Sequence, residues 1–175
     1  MALLHEVVPA TTSIAVLFNP NNPNHEPEIR EVQALGTSFG LQIRTFEASS
    51  EGDIEPAYAE VIKQRAGAML VFTDPLLNRQ VEQIVALSAR YNLPTMYGYR
   101  EFTAAGGLMS YGTSQRDAQR LAALQVVRIL QGEKPSELPV QQSTKIELAI
   151  NLKTAKSLGL TFPLSLLGRA DEVIE

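Results

Sequence analysis

Three short and almost wholly apolar runs, Ile14–Phe18, Ala68–Phe72 and Thr95–Tyr97, set the narrowest limit on what this chain can fold into. Unbroken apolar runs of this length fit strands covered on both faces, as in a parallel sheet. Leu41–Phe46 alternates more and reads as a further strand between the first two. Helical spacing fills the gaps. Ile29, Val32, Leu35 and Phe39 share one face of a helix that Gly40 ends; Ile54, Tyr58, Val61 and Ile62 share another; Val81, Ile84, Val85 and Leu87 a third. Strand and helix in alternation predict an α/β fold. Its parallel Rossmann/flavodoxin-like sheet has right-handed crossovers and helices on both faces. The expected strand order is 2-1-3-4, with Leu108–Tyr111 either continuing the sheet or leaving it.

Beyond residue 112 the pattern changes. Thr113–Leu130 reads as one long helix whose apolar stripe is broader than a single sheet face needs. Gly132–Pro139 is a polar turn region. Ile146, Leu148 and Ile150 alternate with Glu147 and Ala149, which predicts a half-exposed strand near an edge. Asn151 is the expected N-cap of a short helix, Leu152–Leu158, closed by Gly159. The broad stripe of the long helix exceeds what a soluble monomer leaves in water, so a homodimer is expected, with or without exchange of tails.

Composition removes several classes of function. The chain has 175 residues, enough for a packed core without staples, and no cysteine, which excludes disulfides, thiolate metal sites and a cysteine nucleophile. A net charge of −4 with scattered cations argues against a nucleic-acid partner. His5 and His25 stand apart with no companion at metal-ligand spacing, so no metal and no cofactor is expected. There is no nucleophile elbow and no phosphate-binding loop. Met1–Ala10 lacks the basic start and apolar length of a leader, so a chain beginning here would be expected to stay in the cytoplasm.

In an open parallel sheet, ligands gather beyond the carboxyl ends of the strands. The loops there are 19–24, 47–51, 73–78 and 98–101, rich in amide, hydroxyl and aromatic groups suited to a small polar or aromatic molecule. Asn19, Asn22, Thr73, Asp74, Asn78, Tyr97, Tyr99 and Glu101 are the candidate ligand contacts. Structural roles compete. Asn24 ahead of Glu26 and Pro27 is an ordinary helix start, and Asp74 before Pro75 is an N-cap with proline at the first helical position. Asp74 also invites comparison with a phosphoacceptor domain, but Phe18-Asn19-Pro20 offers no carboxylate for the magnesium such chemistry needs.

Gly107-Leu-Met-Ser-Tyr-Gly112, the stretch Leu138–Gly159 and the closing Leu166–Glu175 resemble the end of ABC transporter substrate-binding proteins with a type I periplasmic-binding-protein fold. Members are usually about twice this length, on the scale of two domains. The resemblance therefore implies one lobe of that fold, the second lobe plus the returning tail, with the first lobe missing. It implies an α/β ligand-binding lobe over residues 1–112. Residues 113–175 then hold a returning helix, a hinge-like strand and C-terminal helices. The implied function is solute binding for an ABC-type uptake system, without catalysis, with a permease as partner and a periplasmic or membrane-associated extracytoplasmic location. Amino-acid-binding relatives often carry a TDN-like turn after the third strand and an acid after the fourth. Thr73-Asp-Pro75 and Tyr97-Gly-Tyr99 depart from that pattern. The alternatives are a flavodoxin-like regulatory or enzymatic domain acting through Asp74, or an orphan dimeric interaction domain.

Overall fold

The computed structural model describes residues 1–175, and the apolar runs form its central strands. After α1 (Ala2–Val7) come β1 (Ser13–Phe18), α2 (His25–Ser38), β2 (Gln42–Glu47), α3 (Glu51–Lys63) and β3 (Ala68–Val71). The short α4 (Pro75–Arg79) leads into α5 (Val81–Arg90), β4 (Thr95–Tyr97), α6 (Arg100–Ala104) and β5 (Met109–Thr113). The tail holds α7 (Gln115–Leu130), a 3-10 turn (Pro135–Glu137), β6 (Ile146–Asn151), α8 (Leu152–Ser157), α9 (Leu164–Leu167) and β7 (Glu172–Ile174).

All seven strands lie in one sheet of order β2-β1-β3-β4-β5-β6-β7. The predicted 2-1-3-4 order holds, and β5 continues it in parallel. Every residue of β1, β3 and β4 is buried. Alternate residues feed two cores. Ala15, Leu17, Met69 and Tyr97 pack under Ile54, Tyr58, Ile84 and Phe102. Ile14, Val16, Leu70 and Met96 pack under Leu4, Val7, Ala155 and Leu166 on the other face. Helices thus cover both faces. No helix is long and apolar enough to cross a membrane.

Two expectations are corrected. β6 lies near an edge, one strand in, but is not half-exposed: it runs antiparallel to β5, pairs with the edge strand β7 on its far side, and buries Leu148, Ala149, Ile150 and Asn151. The terminal residues supply the covering strand. The stripe on α2 is also not fully buried, since Leu35 is 50% and Phe39 46% exposed. The helix instead approaches the sheet through Gly36, where an added Cβ would stand 2.4 Å from Ile43 Cγ1. β6, α8, α9 and β7 pack onto this chain's own sheet and core.

α7 behaves differently. None of its residues is buried, and Leu124, Val126, Val127, Ile129 and Leu130 stand exposed. Its apolar stripe is left largely uncovered in this chain.

Candidate ligand-binding site

β1 and β3 are hydrogen-bonded neighbours running in the same direction, so their following loops emerge side by side. Between those loops and Ser49, after β2, lies an open groove of about 730 Å³. Asp74 sits at its base, 2% exposed. Its Oδ1 accepts from the Leu76 backbone N–H at 2.8 Å, the N-cap bond that the Asp-Pro pair predicted. The same oxygen accepts from Asn19 Nδ2 at 3.1 Å, and Oδ2 accepts from Asn22 Nδ2 at 2.9 Å.

Burial works against the charge on Asp74, but the Asn22 and Asn19 amides, the Leu76 N–H and nearby His25 outweigh it and hold the carboxyl below its ordinary range. The amide oxygens are occupied too: Asn19 Oδ1 accepts from Asn21 N–H and Asn22 Oδ1 from Asn24 N–H, tying the loop into consecutive turns. The expected cap by Asn24 fails, because its side chain makes no capping bond to α2.

His25 is not isolated. It is 1% exposed, with Nδ1 3.0 Å from the Asn19 carbonyl oxygen and Nε2 3.2 Å from that of Thr73. Asn22 Nδ2 lies 3.4 Å from Nε2, and Phe18 and Phe72 present ring edges to the imidazole. The ring therefore bridges the loops after β1 and β3. Nothing local in the sequence announces the link to the β3 loop, since the Thr73 carbonyl lies 48 residues away on the main chain.

Of the candidate contacts, Asn19, Asn22, Thr73 and Asp74 meet in this groove. Thr73 is exposed, and its hydroxyl lies over Gly98, where an added Cβ would stand 2.1 Å from Oγ1. Asn78 is one turn along α4, its N–H donating to the Asp74 carbonyl at 2.8 Å. Tyr97 is in the core: 2% exposed, stacked on Phe102 at 4.6 Å, with its hydroxyl donating to Ser88 Oγ at 3.0 Å. Burial pushes its phenol up to about 12. Tyr99 is half-buried against the same core, and Glu101 is exposed in the first turn of α6. Asn21, Asn24, Ser49 and Arg79 line the groove without having been among the expected ligand contacts.

A second, charged concavity of about 370 Å³ opens at the same sheet end over β5–β7. There Arg100 donates to both carboxylate oxygens of Glu172, at 2.7 and 2.9 Å, and Lys145 pairs with Glu147 at 2.9 Å. These bonds join the start of α6 to β7 and the two ends of the β6 entry. The Arg100 guanidinium is raised by its bonds to Glu172, and Glu147 is lowered by Lys145.

The sequence matches the profile of the ABC transporter substrate binding protein family over residues 1–174. A search of curated proteins gives no match. Among solved structures, an ABC domain in complex with L-Trp from Streptococcus pneumonia superposes with a TM-score of 0.85 at 26% identity, over 99% of this chain and 60% of that one. A conserved domain protein from Vibrio cholerae gives 0.85 at 23% identity, over 98% and 58%. A ligand-free, open substrate binding protein with adhesive properties from Clostridium difficile gives 0.70 at 18% identity, over 99% and 58%. The last two speak to the fold alone. This chain spans 58–60% of the length of these three solved relatives.

Proposed function

The chain belongs to the ABC transporter substrate-binding protein family, and on that premise we propose that it binds a small polar or aromatic solute at the carboxyl ends of its parallel strands. The observation that carries this reading is the groove over β1–β3, whose two loops are held in place by the Asp74 and His25 bonds without any ligand group. A wall preorganised in this way loses little conformational freedom when a solute arrives. The reading assigns delivery to a permease and no catalysis, and an extracytoplasmic setting typical of the family. A pneumococcal relative was solved with L-Trp, which makes aromatic amino acids the first solutes to try.

Residues 1–112 form the ligand-binding lobe in this account, and 113–175 the returning segment. The uncovered stripe of α7 supports an interface there. A protein of these 175 residues covers it with a second copy, as a homodimer. In a chain of the relatives' length, the part not spanned here covers it instead.

A flavodoxin-like enzyme or regulator acting through Asp74 is disfavoured by the geometry, because both carboxylate oxygens already accept internal N–H groups. An orphan interaction domain would leave the groove without a role. A thermal-shift screen of amino acids, purines and organic acids tests the proposal. A solute at about 100 times its dissociation constant adds about 2.7 kcal/mol of stability. Flat melting curves across the screen would refute solute binding by this chain.

A further inference from the structure

The groove over β1–β3 is lined by two charged side chains, Asp74 and Arg79. They are not equivalent. Asp74 is 2% exposed and its oxygens are taken by Asn19, Asn22 and Leu76, so it offers an incoming solute no acceptor. Glu51, which follows on the β2 side, accepts from Gln80 Nε2 at 3.1 Å. Arg79 is exposed in the last turn of α4, with no carboxylate within ion-pair distance and no hydrogen-bond partner for its guanidinium. Around it, the Asn21, Asn24 and Thr73 side chains also have no internal hydrogen bonds.

From this asymmetry we infer that the groove receives the anionic end of its solute, a carboxylate, with Arg79 as counter-charge and Asn21, Asn24 and Thr73 as neutral hydrogen-bonding neighbours. The inference rests on the solute-binding reading above and narrows it. A planar guanidinium with parallel N–H groups matches a carboxylate in a two-point contact. An ammonium group would meet Arg79 as a like charge, with no free carboxylate in the groove to offset it. Asp74 is thereby a positioning residue: it fixes the loop that carries Asn21 and Asn24 and starts the helix that carries Arg79.

The test is a titration of the 15N-labelled protein with acetate, benzoate, 3-phenylpropanoate and hexanoate, each against the amine of the same carbon skeleton. It is repeated in Arg79→Gln and Arg79→Lys. The exposure of Arg79 leads us to expect unchanged thermal midpoints in both variants, which shows that they fold. The expected result is that carboxylates shift the resonances of Asn21, Asn24 and Arg79. Binding should weaken at least about tenfold in Arg79→Gln and less in Arg79→Lys. Amines binding there better than their partners, or carboxylates binding equally well to Arg79→Gln, would overturn the inference and leave solute binding intact. If neither class moves a groove resonance at up to about 20 mM, weaker than any useful affinity, solute binding in this groove fails and takes the inference with it.

Discussion

Asn19 and Asp74, 55 residues apart in the chain, meet across the ends of β1 and β3 through a 3.1 Å bond from Nδ2 to Oδ1. With the Asn22 and Leu76 bonds it makes one carboxylate the fixed point of two loops.

Replacing that carboxylate should cost more than a helix cap. A cap alone contributes about 1 kcal/mol. Asp74→Ala also leaves the half-buried Asn19 and Asn22 amides without their acceptor, so urea unfolding should show a loss of about 2–3 kcal/mol. A loss of 1 kcal/mol or less would mean that the asparagine bonds add nothing.

The same group gives a pH dependence. Its carboxyl is lower in the folded protein than in the unfolded chain, where about 3.9 is usual, so the unfolded chain takes up its proton first. The stability it contributes is complete above that unfolded value and is lost as pH falls through the folded one. The difference in unfolding free energy between the wild type and Asp74→Asn should therefore be constant near neutral pH and shrink below about pH 4. A difference that stays constant at lower pH would contradict this assignment.

Much of the scaffold was legible because its signals are local. β1, β3 and β4 stand out as apolar runs, and their alternation with helices predicts a parallel sheet with right-handed crossovers. β6 was misread because its covering strand, Glu172–Ile174, is three residues long and carries no periodicity of its own. α2 was misread because its close contact is made by Gly36, which an apolar count passes over. In the groove, the capping role of Asp74 was written in Asp74-Pro75. The attachment of Asn19, Asn22 and His25 to it joins distant segments, which no spacing along the chain encodes.

Gly112 marks a second constraint near the sheet end. A Cβ there would stand 2.1 Å from the Gly98 carbonyl oxygen, and backbone cannot yield as a side chain can. Gly112→Ala should destabilise the protein by about 1–3 kcal/mol and disturb the β4–β5 pairing. Thermal unfolding with amide exchange at Met96 and Ser110 reads both effects.

On α7, Val126→Glu together with Leu130→Lys should leave the unfolding of the lobe nearly unchanged, within about 0.5 kcal/mol, because neither side chain is buried. The association should suffer instead. Sedimentation of the 175-residue protein should give the mass of two chains for the wild type and of one for the double variant. A single-chain mass for the wild type at micromolar concentration would remove the homodimer.

Amide hydrogen exchange, with and without the solute that gives the largest thermal shift, tests the placement of the site most directly. Slowed exchange over residues 19–24 and 73–79 is the predicted result. Slowed exchange confined to residues 92–95, 106–108 and 154–158, at the opposite end of the sheet, or no change anywhere, would contradict a ligand site at the β1–β3 strand ends.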